Sequence, residues 1–202
     1  MDHAQTWRKA EAVFKKHGGM LRTSRAIALG VHPRTLYGLR DAGRIQQVTR
    51  GLYRLAELPE LGNPDLAAVA ARIPQGVVCL ISALSFHQIT TQIPHQVDVA
   101  VPRGTKQPRL DFPPIRLIRL SEQLYKAGIE THDLDGVGVR VYSAAKTVAD
   151  CFRFRNRIGI DVAVEALKLF HSRKKASMRE LLEYARLCRV DRVMRPYIEA
   201  LQ

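Results

Sequence analysis

The chain has 202 residues and 22.8 kDa, with 46% hydrophobic residues and a mean hydropathy of −0.15, a composition that supports a packed core and excludes a chain disordered throughout. It has no apolar run of the ~18 residues a membrane span needs and no secretory leader pattern, and its three widely spaced cysteines (Cys79, Cys151, Cys188) exclude a disulfide framework and a Cys-x-x-Cys metal site and fit a reducing cytoplasm. Lys and Arg number 32 against 19 Asp and Glu, a net charge of +13 and a pI near 10.2, an excess that draws polyanions, nucleic acid foremost.

The charge is unevenly placed. Residues 1–60 are net +6, residues 61–150 net +1 and residues 151–202 net +6. A stretch rich in Pro, Gly and Asn, Glu57 to Pro64, interrupts the periodic pattern and predicts a boundary between a domain at 1–58 and a second at 63–202.

In the first segment, Trp7, Ala10, Val13 and Phe14 recur at helical spacing from about Thr6, and His17-Gly18-Gly19 ends the run. Thr23 is expected to cap a short helix from Ser24 to Leu29, with Ala26, Ile27 and Leu29 as its apolar face. Gly30 provides a tight turn, and Pro33 opens a third helix to about Ala42 that buries Leu36 and Leu39. Ile45, Val48, Leu52, Tyr53 and Leu55, divided by Thr49-Arg50-Gly51, read as a two-stranded hairpin.

Three helices followed by a hairpin make a winged helix-turn-helix, whose third helix can enter a major groove about 12 Å wide. With Leu36 and Leu39 facing inward, Arg34, Tyr37 and Asp41 face outward, while His32 and Thr35 stand at the helix start that makes base contacts. Arg34 suits a bidentate contact to guanine. Arg22, Thr23, Ser24 and Arg25 suit phosphates at the neighbouring helix start, Arg50 the wing tip, and Arg40 and Arg44 the backbone. Tyr37 also suits simple packing at the junction of helix and wing.

Further along, Asn63-Pro64-Asp65 begins a helix, Gly76 to Leu80 is short and apolar, and residues 82–88 read as a helix. Strands are predicted near 97–101 and 115–120, with a hairpin over 129–134 and 137–142 around Asp135-Gly136. Ser143 caps a helix reaching Phe154, and three more helices follow near 159–171, 177–188 and 191–201. The fold class is α+β: a winged helix-turn-helix, then a mixed α/β domain with a small sheet at 76–142 and a helical end at 143–202.

Asp98 on a strand raises the question of a metal-dependent nuclease. Such a site needs a second acid and a lysine beside it, and the next strand offers Arg116 and Arg119, so the expected role of Asp98 is a hydrogen bond or salt bridge. Lys146 and Asp150, at i and i+4 on one helix, read as a structural ion pair worth ~0.2–0.5 kcal/mol. His87, His95, His132 and His171 lack mutual ligand spacing, and no Gly-rich phosphate loop is present; no catalytic residue, metal or cofactor is expected. Arg153, Arg155 and Arg157, then Arg173, Lys174 and Lys175, then Arg186 and Arg189 (with Arg192 and Arg195) form basic clusters that are either a solvated face or a second nucleic-acid patch.

The runs Gly30-Val31-His32-Pro33-Arg34-Thr35-Leu36-Tyr37, Gly43-Arg44-Ile45 and Arg50-Gly51-Leu52-Tyr53-Arg54 resemble the N-terminal winged helix of AbiEi-type antitoxins of the abortive-infection, type IV toxin–antitoxin class. Residues 78–87, 97–102, 141–153 and 195–197 extend the resemblance over nearly the whole chain. It implies a cytoplasmic, non-enzymatic transcriptional autorepressor that binds inverted repeats in double-stranded DNA of its own promoter. It also implies a functional partner, a nucleotidyltransferase-like toxin neutralised without a stable complex, and a role in phage defence. Two other readings stay open: a winged helix joined to a nuclease-like domain, and an adaptor for RNA or a toxin.

Overall fold

The computed structural model of the chain describes residues 3–58, 62–108, 110, 112–134, 136–174 and 176–201. Pro59, Glu60 and Leu61 of the interrupted stretch, Asp135 of the hairpin and Lys175 of the basic cluster lie outside the described residues. The chain falls into two compact units, Met1–Pro74 with His132–Val139, and Gln75–Thr131 with Arg140–Gln202.

The first unit begins with α1 (His3–Lys16), β1 (Met20–Arg22), α2 (Thr23–Ala28) and α3 (Pro33–Asp41), followed by β2 (Ile45–Thr49), β3 (Leu52–Leu55) and α4 (Pro64–Arg72). This is the expected winged helix-turn-helix, with one strand that the periodicity did not announce. β1 pairs antiparallel with β3, which pairs antiparallel with β2, so the wing is a three-stranded sheet in the order β1-β3-β2. Three residues are too few to display a period of two. Phe14, Ala26, Leu36 and Leu39 are fully buried, and Ile45, Tyr53 and Leu55 close the same core from the sheet.

Two local expectations are corrected. Thr23 does not cap α2: the cap position is Arg22, and no side chain bonds the helix start. The reason is the wing, since the Thr23 amide donates to the Gly51 carbonyl at 2.9 Å and so extends the strand pairing by one residue. Ile27, expected on the apolar face of α2, is 44% exposed, because six residues make under two turns and Ala26 alone reaches the core. The α2–α3 turn passes through Gly30 at φ +91°, which a residue with a Cβ adopts only at a cost.

The second unit holds a five-stranded mixed sheet except for residues 132–139, which count with the first unit. Its strands are β4 (Val77–Val78), β5 (Val97–Pro102), β6 (Ile115–Leu120), β7 (Ile129–Leu134) and β8 (Val137–Tyr142), in the order β6-β5-β4-β8-β7. β5 runs parallel to β6 and antiparallel to β4, and β4 runs parallel to β8. The helices are α5 (Leu80–Phe86), α6 (Glu122–Lys126), α7 (Ala144–Arg153), α8 (Arg155–Ile158), α9 (Ile160–His171), α10 (Met178–Leu187) and α11 (Asp191–Glu199). Ser143 caps α7 as expected, its hydroxyl accepting from the Lys146 amide at 3.3 Å. The short α6 and α8 carry no periodicity of their own and went unseen in the sequence.

Helix α7 is the centre of this unit, with every residue from Ala145 to Phe152 buried. Lys146 and Asp150 lie within that run, 2.5 Å apart, with side-chain exposures of 0% and 2%. The surface-pair magnitude expected from i,i+4 spacing therefore does not apply. Two buried charges depend wholly on each other and on their polar neighbours. Here the Cys188 thiol donates to the other oxygen of Asp150 at 3.3 Å, and the Lys146 ammonium lies 4.5 Å from the centre of the Tyr142 ring.

Lys146→Met, which leaves the Asp150 carboxylate buried without a counter-charge, is expected to lower stability by about 3–5 kcal/mol in urea unfolding, and the double change with Asp150→Leu to recover most of that loss. A double variant as unstable as the single one would contradict this. Desolvation pushes the Cys79 and Cys151 thiols well above their ordinary range and Cys188 up to about 12. At pH 8 all three are therefore expected to resist an aromatic disulfide reagent in the folded protein and to react together once guanidinium unfolds it.

Candidate nucleic-acid interface

Burial of Leu36 and Leu39 fixes the rotation of α3. Positions 34 and 37 then point away from the core, and both are exposed, Tyr37 at 42%. The start of the helix is built by His32, whose Nδ1 accepts from the Arg34 amide at 3.2 Å while Pro33 occupies the first turn. The cap thus holds the backbone beneath Arg34 and leaves its guanidinium in solvent. His32 and Thr35 border a shallow depression with Thr6 and Lys9 of α1.

A second depression of about 380 Å³ gathers Arg22, Thr23 and Ser24 with Thr49 and Arg50 of the wing. The turn at its rim is Gly51, at φ +77°, and a Cβ there would lie 3.7 Å from the Thr23 hydroxyl. The sixth polar member, Arg72 at the end of α4, was not expected from the sequence. The signal for it was a basic residue in the last turn of a predicted helix, but nothing in the sequence places that turn beside the wing. Burial first, and the Arg72 charge second, hold Arg22 below the ordinary guanidinium value. Among the described residues no acid lines this depression, and the Arg72 charge acts against that of Arg22, a repulsion that a phosphate relieves.

The other predicted residues divide. Arg25 is exposed on α2. Arg44 is held by both oxygens of Glu11, at 2.7 and 3.1 Å, and Arg40 pairs with Asp41 at 2.7 Å and lies 5.2 Å from the centre of the Tyr37 ring. Both arginines therefore serve contacts inside the unit, with Arg40 backing Tyr37. Hydrogen bonding to these carboxylates raises both above the ordinary guanidinium value.

In the second unit, Asp98 is 1% exposed and its two oxygens accept from Arg116 at 2.7 and 2.9 Å, the salt bridge anticipated for it. Desolvation nonetheless raises its pKa. Among the described residues, no group of three or more His, Cys, Asp or Glu is placed to hold a metal ion. The basic clusters separate as well. Arg153, Arg155 and Arg189 share one cleft. Arg157 lies 5.9 Å from the centre of the Phe154 ring. Arg173 donates to the His87 and Gln88 carbonyls, and Lys174 and Arg186 are exposed outside that cleft. No helix among the described residues is long and apolar enough to cross a membrane.

The fold is similar to the crystal structure of the RV2827C protein from Mycobacterium tuberculosis, with a TM-score of 0.51 at 12% identity, over 96% of this chain and 81% of that one. No curated protein matches the sequence. Segments 78–87, 97–102, 141–153 and 195–197 lie outside the matched family domain, which spans the three helices and the wing. Residues 8–56 match the family model described as transcriptional regulator, AbiEi antitoxin.

Proposed function

We propose that this protein is the antitoxin of a type IV toxin–antitoxin system and represses its own promoter by binding inverted repeats in duplex DNA. The observation that carries the reading is the outward face of α3, where Arg34 and Tyr37 stand in solvent, in a unit that also holds a depression lined by Arg22, Arg50 and Arg72 and, among the described residues, by no acid. Helix α3 enters the major groove, Arg34 reads guanine, and Ser24, Arg25 and Thr35 position the backbone. The wing tip at Arg50 follows the flanking phosphates. An inverted repeat implies that two copies bind, one to each half-site.

The second unit adds a basic surface from Arg153 to Arg189. Its acidic candidate, Asp98, is engaged by Arg116, so the reading assigns the chain no catalytic step. The toxin, a nucleotidyltransferase-like enzyme acting in the cytoplasm during phage defence, is opposed by repression and without a stable complex.

The experiment is a footprint and binding titration with duplex from upstream of the chain's own gene, against a scrambled duplex of equal length. Protection of an inverted repeat and a preference of at least a hundredfold are expected. Equal affinity for both duplexes would sink the proposal. Arg34→Ala is expected to cost the repeat about 1–3 kcal/mol and the scrambled duplex much less. Arg50→Ala and Arg72→Ala are each expected to weaken both duplexes alike and to reduce the log–log salt slope by about 1, read from titrations between low and physiological salt.

A further inference from the structure

The second unit holds a cleft of about 390 Å³, within the range of pockets that take small ligands. Five arginines from four parts of the chain line it: Arg103 just after β5, Arg119 on β6, Arg153 and Arg155 around the end of α7, and Arg189 after α10. Ser121 adds a hydroxyl, and among the described residues no acid lines the cleft. None of the five guanidiniums forms an ion pair among the described residues. Arg153 donates to the Cys188 carbonyl at 2.9 Å, Arg155 to the Phe152 carbonyl at 2.9 Å, and Arg119 to oxygens of Thr105 and Gln107 at 3.5 Å. These bonds hold the groups in place and leave other N–H donors of each fork unused. Converging positive charge without a counter-ion in a concave site is stable only where water or an anion answers it, and forked guanidinium donors match phosphate oxygens in pairs.

A second observation singles out one member. Arg189 has φ +58°, one of three non-glycine residues in the left-handed region among the described residues. It occupies the position after the cap of α10, where its amide donates to the Arg186 carbonyl and that of Val190 to the Ala185 carbonyl. Helices that end in this way ordinarily place glycine there. An arginine is held in unfavourable backbone at the mouth of an arginine-lined cleft, and such strain concentrates at binding sites.

We infer that this cleft is a binding site for a terminal phosphate or pyrophosphate group, carried by a nucleotide or by the phosphorylated end of a strand. The five arginines converge on one cleft and do not run along a line, which suits the several oxygens of a single terminal group. The inference does not depend on DNA binding by α3.

The test is calorimetric titration of the full-length protein with inorganic pyrophosphate at fixed ionic strength in chloride buffer. One-site saturable binding is expected, at least tenfold weaker in Arg189→Gly and in Arg119→Gln, and unchanged in Arg179→Gln, which removes the same charge from an exposed pair with Glu183 elsewhere in the unit. Glycine is at ease at φ +58°, so Arg189→Gly is expected to melt no lower than the parent protein, and its loss of binding reports the guanidinium. ADP that displaces pyrophosphate where adenosine does not identifies a nucleotide as the source. Displacement only by a 5′-phosphorylated oligonucleotide identifies a strand end. The inference is overturned by absent binding, by binding equally weakened in Arg179→Gln, by binding retained in both cleft variants, or by displacement by neither ligand. Duplex binding measured on the same samples separates the two readings, since a protein that binds duplex but not pyrophosphate fails this one alone.

Discussion

The N-terminal unit depends on the burial of Leu36 and Leu39 beneath α3. A nine-residue helix is not stable alone in water. Removing two leucine side chains from water contributes about 1.5–3 kcal/mol each, against roughly 1 kcal/mol for an end cap such as His32. The apolar contact therefore decides which side of the helix is inside, and the cap adjusts where it begins. Once 36 and 39 are inside, a period of 3.6 leaves 34, 37 and 41 outside. The outward face of the helix is thus fixed by the residues buried beneath it.

The second unit joins its core to its arginine-lined cleft through one residue. The Cys188 thiol donates to Asp150 in the middle of α7, and the Cys188 carbonyl accepts from Arg153 at the end of the same helix. Cys188 is also the cap of α10, and Arg189 follows it. The buried ion pair of Lys146 and Asp150 consequently does more than hold α7 in the core. It fixes the carboxylate that holds the turn from which Arg189 departs. A buried pair is a poor source of stability compared with apolar packing, but it demands a defined geometry, and that geometry is passed on to the lip of the cleft.

Elements whose residues repeat over two or more turns were legible in the sequence. α1, α3, α7, α9 and α10 were recognisable by period, and Pro33 and Ser143 marked their starts. What stayed hidden is set by residues distant in sequence. The i,i+4 spacing of Lys146 and Asp150 is the same on a surface helix and a buried one, so spacing alone suggested a weak pair. Arg44 read as a backbone contact because its partner, Glu11, is 33 residues away. β1 is a strand only because β3 pairs with it, and the same pairing takes the Thr23 amide from its expected cap. At the candidate interface, the outward positions of α3 and the wing tip were legible because helix period and hairpin geometry place them. Arg72 and the convergence of Arg103 and Arg119 with Arg153 were not, since no local rule brings α4 to the wing or β6 to the end of α7.

The distribution of acids, more than that of bases, selects the candidate surface. The N-terminal unit carries basic residues on most of its faces, yet Glu11 neutralises Arg44, Glu57 meets Lys15 at 3.0 Å, and Asp41 takes Arg40. These carboxylates lie on α1, at the end of α3 and beyond β3, whereas the depression between α2, the wing and α4 has none. In water an exposed pair contributes little to stability, so the three pairs are not needed to hold the fold. Their effect is on potential, because each cancels positive charge where a polyanion would otherwise find an unproductive hold. A net charge of +13 alone would make every face attractive. The depression lined by Arg22 and Arg50 has no carboxylate among the described residues, and on the outer face of α3 the Asp41 carboxylate is already taken up by Arg40, so a polyanion finds its least opposed hold at these places.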